Sequence, residues 1–239
     1  MDYGYKTDVG KVRNLNEDRY LFVNEEDYVL LAVADGMGGH NAGDIASQMA
    51  IDEILKYNLN LGFCNDTKDN IKKCIENVNS KIFEYSVKNP SCNGMGTTLT
   101  LSVIIGDMVY FANVGDSRGY IINDDIKKIT VDHSYVEELV KIGKITEEEA
   151  KNHPHRNQIT RAIGTSYDVE IDIFEFEKKK DDIIFLCTDG FTNMLSDDVI
   201  LREFKKADSL QKSIDNLVTL ANSNGGNDNI TVVCYKEGE

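Results

Sequence analysis

Tyr28-Val-Leu-Leu-Ala-Val-Ala-Asp-Gly36 runs without a charge from Tyr28 to Ala34 and then stops on Asp35-Gly36. A short apolar run bounded by turn residues reads as a strand. The pattern recurs along the chain. Asp182-Ile-Ile-Phe-Leu-Cys-Thr188 leads into Asp189-Gly190, and Val109-Tyr-Phe-Ala-Asn-Val114 leads into Gly115-Asp116-Ser117. On the other side of a strand, Asp228-Asn229 precedes Ile230-Thr-Val-Val-Cys234, and Asn16-Glu17-Asp18 precedes Arg19-Tyr-Leu-Phe-Val23. In antiparallel pairing the end of one strand lies beside the start of its neighbour, so these acids can meet at one edge. Gathered there, they repel unless cations neutralise them. Oxygen donors without His or Cys favour Mg²⁺ or Mn²⁺ over Zn²⁺. Each Asp-Gly taken alone also reads as plain turn chemistry, with Asp bonding its own backbone and Gly at positive φ.

Further strands are expected over 97–105, in a tight hairpin with 109–114 through Gly106-Asp107, and over 120–122, closed by the turn Asn123-Asp124-Asp125. Three- and four-residue apolar steps predict helices through Ile45, Met49, Ile54 and Leu55, through Ile71, Ile75, Val78 and Ile82 up to Pro90, and through Leu210, Ile214 and Leu217. Two short polar helices follow over 135–142 and 146–151, the second capped by Thr146 with Glu149 three residues on. Strands clustered with hairpins, and helices in separate blocks, make this an α+β domain with antiparallel sheets. The stretch 134–157 reads as an inserted surface subdomain.

The 239 residues carry 26 Lys plus Arg against 41 Asp plus Glu, a formal net charge of −15. That balance argues against binding nucleic acid by neutralising phosphates. Hydrophobic residues are 41% of the chain, enough for a sizeable core. The N-terminus lacks the plan of a signal peptide, and no apolar run approaches the roughly 20 residues of a membrane helix. The odd set Cys64, Cys74, Cys92, Cys187 and Cys234 contains no Cys-x-x-Cys and reads as buried free thiols in a reducing cytoplasm.

The motifs stand in a distinctive order: Arg13-x-x-Asn16-Glu17-Asp18, Val33-Ala-Asp-Gly-Met-Gly-Gly-His40, Gly43-Asp-Ile-Ala-Ser47, Gly96-Thr-Thr98, Ala112-Asn-Val-Gly-Asp-Ser-Arg118, Asp132-His-Ser134, Ile159-Thr-Arg-Ala-Ile-Gly164, Cys187-Thr-Asp-Gly190 and Gly226-Asn-Asp-Asn-Ile-Thr-Val232. Order and spacing resemble the bacterial branch of the protein phosphatase 2C family, the metal-dependent serine/threonine phosphatases. The resemblance runs from about Tyr5 to Tyr235. It implies a four-layer α-β-β-α sandwich of two antiparallel sheets flanked by helices, with 1–239 a single catalytic domain and a flap at about 134–157. It also implies two tightly bound Mn²⁺ or Mg²⁺ ions and a third, weaker one. Asp35 would bridge the tight pair, the Gly36 carbonyl would hold one ion, and Asp189 and Asp228 the other. Asp116 and Asp189 would hold the third ion. Glu17 and Asp18 would orient waters, and Arg13 would bind phosphate.

The resemblance further implies direct hydrolysis of phosphoserine and phosphothreonine in proteins, opposite a bacterial serine/threonine kinase, by a cytoplasmic monomer with no nucleic-acid or membrane partner. Met37 stands where eukaryotic relatives carry a histidine, which leaves His40 as a candidate leaving-group acid. His133 reads as structural. His153, His155 and Arg156 are the flap residues placed to meet a phosphoprotein. Two competing readings remain on sequence: a silent signalling module that keeps the fold, disfavoured by the intact acids, and a hydrolase of small phosphoesters or a nuclease, the latter disfavoured by net charge.

Overall fold

The structure, a computed structural model, describes residues 1–38 and 42–238. The strands are β1 (Asp2–Asp8), β2 (Asp18–Asn24), β3 (Val29–Met37), β4 (Gly96–Thr97), β5 (Leu99–Ile105), β6 (Met108–Val114), β7 (Arg118–Ile122), β8 (Ile126–Lys128), β9 (Asp172–Glu177), β10 (Ile183–Cys187) and β11 (Ile230–Lys236). The helices are α1 (Ala42–Asn60), α2 (Thr67–Lys88), α3 (Tyr135–Lys141), α4 (Glu147–Lys151), α5 (Asp189–Thr192), α6 (Asp197–Lys206) and α7 (Leu210–Ser223). One sheet runs β1-β11-β10-β7-β8; the other runs β2-β3-β5-β6-β9, with β4 paired to β3. Every pairing is antiparallel.

Strand alternation builds the layers. Val29, Leu31 and Val33 of β3 point between the sheets, onto Phe111, Ile184, Leu186 and Val233. Leu30, Ala32 and Ala34 point the other way, onto Ala46, Ala50 and Ile54 of α1, with Ile71, Ile75 and Val78 of α2 in the same cluster. On the far side, Phe185, Cys187 and Val232 pack beneath Ile200, Phe204, Ile214 and Leu217 of α6 and α7. This two-sided burial is why β3 and β10 read as unbroken apolar runs. Each such side chain contributes ~1.5–3 kcal/mol of burial. The result is the helix–sheet–sheet–helix sandwich.

The sandwich is closed along one side by stacked rings from its two edge strands. Tyr3 stacks on Phe22 at 4.5 Å between centroids, and Tyr5 stacks on Tyr20 at 4.9 Å. The expected hairpin forms, with Ile105 opposite Met108 and Gly106 at φ 55°. The structure corrects several expectations. The strand expected over 97–105 is broken at Thr98 into β4 and β5, because the Thr98 side chain turns to the backbone of Asp35. β1, β8, β9, α5 and α6 appear where no element was expected. Cys64 is exposed, whereas the other four thiols are free and buried as expected. Among the described residues no helix is long and apolar enough to cross a membrane.

Candidate metal centre

The strand-end acids do converge. Antiparallel register sets Asp18, at the start of β2, opposite Asp35 near the end of β3. The backbone of Asp35 is gripped by the strand break: its N–H donates to Thr98 Oγ1 at 3.0 Å, and its carbonyl accepts from Thr98 N at 2.8 Å and Thr97 Oγ1 at 2.9 Å. Asp189 opens α5 directly after β10, and Asn193 Nδ2 donates to its Oδ2 at 3.1 Å. Asp228 precedes β11; its Oδ1 accepts its neighbour Asn229's N–H at 2.9 Å, and Arg13 Nη2 lies 2.8 Å from its Oδ2. Asp116 follows β6 and is buried.

Their electrostatics record the crowding. Burial, then the charges of Asp18, Asp189, Asp116 and Asp228, push the Asp35 carboxyl well above the usual carboxylate range. Burial and Asp228 push Asp189 up as well. Burial, with Asp189 and Asp132 adding repulsion, lifts Asp116 to about 8. Asp18 is 1% exposed, and burial lifts it to about 7 against the opposing hydrogen bond from Thr188 Oγ1 to its Oδ2 at 2.8 Å. Its Oδ1 is buried without a hydrogen-bond partner, as is Oδ1 of Asp44. Burial and the nearby Asp44 charge raise Glu17. Acids held this close and left short of partners are the environment that a divalent cation satisfies, and the donors are all oxygen. The residues therefore fit Mg²⁺ or Mn²⁺. Among the described residues no three acidic, His or Cys side chains close around a single point.

Other motif residues take supporting places. His133 accepts the Gly115 N–H at Nδ1 (3.1 Å), and its Nε2 faces both Asp172 Oδ2 at 3.2 Å and Arg161 Nη1 at 3.1 Å. Its own N–H donates to the Gly115 carbonyl at 2.9 Å. Gly115, at φ 113°, is pinned at both backbone groups immediately before Asp116. A Cβ there would stand 2.6 Å from Thr98 Cβ, so no larger residue fits. Asp132 grips Arg118 through two bonds, to Nε at 2.9 Å and Nη2 at 2.6 Å.

In the inserted segment, Ser134 caps α3 and Thr146 with Glu149 forms the expected capping box on α4. His153 is half-buried and His155 and Arg156 are exposed. The two imidazoles and Tyr135 form a cluster with centroids 5.6–6.0 Å apart. Among the described residues none of His153, His155 and Arg156 makes an ion pair with the acidic cluster. His40 lies outside the described residues. Sequence reasoning quoted Asp44 within the Gly43–Ser47 motif and Asn229 within the Gly226–Val232 motif but gave neither residue a role.

The family model described as Protein phosphatase 2C matches residues 11–230. The chain belongs to the protein phosphatase 2C family. It is 41% identical over 238 residues to the serine/threonine phosphatase stp of Listeria monocytogenes, covering 98% of this chain and 94% of that one. The structure of the S. agalactiae serine/threonine phosphatase superposes with a TM-score of 0.92 at 38% identity, over 99% of each chain. The catalytic domain of the serine/threonine protein phosphatase PstP, solved in complex with 2 manganese ions, superposes with a TM-score of 0.87 at 34% identity, over 99% of this chain and 98% of that one. The protein phosphatase 2C membership thus spans the strand ends that carry all five aspartates.

Proposed function

We propose that this protein phosphatase 2C member hydrolyses phosphoserine and phosphothreonine in proteins directly, without a covalent intermediate, at a divalent-metal centre built from Asp35, Gly36, Asp116, Asp189 and Asp228. The observation that carries the reading is the convergence of these acids at one end of the sandwich with Arg13 beside them. Asp35 would bridge two tightly held Mn²⁺ or Mg²⁺ ions, with the Gly36 carbonyl on one and Asp189 and Asp228 on the other. Asp116 and Asp189 would hold a third, weaker ion. When bound, such ions neutralise the carboxylates and lower the pKa of a shared water so that it can attack phosphorus in line.

The chain's own groups do the rest. Arg13 is half-exposed and bonded to one oxygen of Asp228, so its planar fork can turn to two phosphate oxygens and offset charge gathering in the transition state. Glu17 and Asp18 would accept hydrogen bonds from metal-bound waters and so fix their orientation. Cysteine chemistry is disfavoured: Cys187 precedes the Thr188-Asp189 turn yet is fully buried, and burial holds its thiol protonated.

The partners are phosphorylated proteins, including a serine/threonine kinase and its substrates. The flap over 134–157, with His153, His155 and Arg156, would contact them within a single catalytic domain, acting as a cytoplasmic monomer. The test is hydrolysis of matched phosphoserine, phosphothreonine and phosphotyrosine peptides and of a nucleoside monophosphate, with Mn²⁺ and after chelation. Metal-dependent turnover of the first two is expected. Preference for the nucleotide, or turnover that survives chelation, would overturn the reading.

A further inference from the structure

Asn229 stands at the foot of β11, immediately after Asp228, and is 6% exposed. Its amide is used from both ends. Nδ2 donates to the carbonyls of Val9 at 3.0 Å and Leu15 at 2.9 Å, and Oδ1 accepts the Glu17 N–H at 2.8 Å. Two carbonyl partners on one side and an N–H on the other fix which atom is nitrogen. Val9 lies before Arg13 in the β1–β2 loop, and Leu15 and Glu17 lie after it. One side chain thus clasps both feet of the loop. Between the feet the tip is open, with Val12 63% exposed. The loop is drawn onto the Asp228 turn by Lys11 N–H donating to the Gly226 carbonyl at 2.8 Å. Gly10, at φ +79°, passes so close that a Cβ would stand 2.2 Å from the Asp228 carbonyl oxygen.

We propose that Asn229 is the positioning residue for Arg13: it fixes the loop over 9–17 so that the guanidinium meets the phosphate beside Asp228. The proposal rests on the reading of Arg13 as the phosphate ligand. The amide itself is required. A carboxylate of the same shape would face the Val9 and Leu15 carbonyls with lone pairs and add charge beside Asp228.

The experiment compares wild type, Asn229→Ala, Arg13→Ala and the double variant. The readouts are inhibition of aryl phosphate hydrolysis by inorganic phosphate, Mn²⁺ affinity by calorimetry, and hydrogen exchange of the metal-stripped protein. Misplacing a clamp by an ångström costs about tenfold to a hundredfold, so Asn229→Ala should weaken phosphate inhibition by that order while retaining Mn²⁺ affinity. In the Arg13→Ala background the same substitution should add nothing, because residues acting as a unit are not additive. Exchange should quicken in peptides covering 9–17 and stay unchanged in α7. Unchanged phosphate inhibition, or an equal loss in both backgrounds, overturns the proposal. Should Asn229→Ala fail to fold, Asn229→Ser, which adds no charge beside Asp228, is read in the same way. If Arg13→Ala alone leaves phosphate inhibition unaltered, the phosphate reading of Arg13 falls, and the exchange of 9–17 alone decides whether Asn229 is a clasp.

Discussion

Nη2 of Arg13 lies 2.8 Å from Oδ2 of Asp228, a residue 215 positions away in sequence. The pair sets a half-exposed cation at the rim of an acidic cluster. Arg13 need not hold any ion there, so Arg13→Ala should retain Mn²⁺ binding. It should raise KM for a phosphopeptide. Hydrogen bonds to charged groups contribute ~1.5–3 kcal/mol, about tenfold to a hundredfold in kcat/KM. Steady-state kinetics with a metal titration checks this, and unaltered kinetics would refute the role.

Burial and neighbouring carboxylates push both Asp35 and Asp189 upward. Asp35→Asn or Asp189→Asn should cut activity by orders of magnitude. Each should also make the metal-stripped protein more stable, since one of several repelling charges is gone. Ions that bind only the folded state add RT ln(1 + [L]/Kd), so the rise in Tm on adding Mn²⁺ should shrink in both variants. Calorimetry showing wild-type affinity in both would sink the assignment.

The same crowding sets a pH dependence for the chelated protein. Asp18 titrates at about 7 and Asp116 at about 8 in the folded chain. In the unfolded chain both lose their protons near ~3.9. Between those limits the folded state binds more protons, so this contribution falls as pH rises from about 4 to about 8. Urea midpoints in chelator should show it as a difference between wild type and Asp116→Asn that widens with pH. A difference independent of pH would contradict the shift.

Asp116→Ala should keep the fold and lose most turnover on a phosphoserine peptide while losing less on an aryl phosphate. A phenolate leaves without a proton, whereas a serine alkoxide needs one. Single-turnover kinetics on both substrates decides the matter. Wild-type rates on the phosphopeptide would reduce Asp116 to a turn residue of Gly115-Asp116-Ser117.

Substitutions at His153, His155 and Arg156 should alter the ranking of phosphoproteins more than turnover of a small aryl phosphate. These side chains make no ion pair with the acidic cluster among the described residues, so a small substrate has no reason to sense them. Equal losses on both substrate types would count against a docking role.

Much of this architecture was legible because buried strands carry their signature locally. β3 and β10 lie between two apolar layers, so every residue from Leu30 to Ala34 and from Ile183 to Cys187 had to be apolar or small. Edge elements escaped for the opposite reason. In Asp2–Asp8 only Gly4 is fully buried, and Asp172–Glu177 has no fully buried residue, so neither strand shows a hydrophobic run. α6 buries only Ile200 and Phe204, too few to mark a period by eye. The five aspartates were visible as strand-end residues, but not the contacts that aim them. The break at Thr98 and the clasp of Asn229 depend on partners far away in the chain, which spacing does not encode.

β1 is held to the sheet by a single neighbour, β11, with Asp2 opposite Lys236. Arg13 follows the first of these strands and Asp228 precedes the second. The two members of the Arg13–Asp228 pair therefore leave the ribosome 215 residues apart. Until β11 emerges, β1 has no strand to pair with, and Tyr3 and Tyr5 have only Phe22 and Tyr20 of β2 to stack on. A chain that stops short of Asp228 lacks both an acid of the cluster and the strand that seats β1, so the cluster assembles only once β1 and β11 have met.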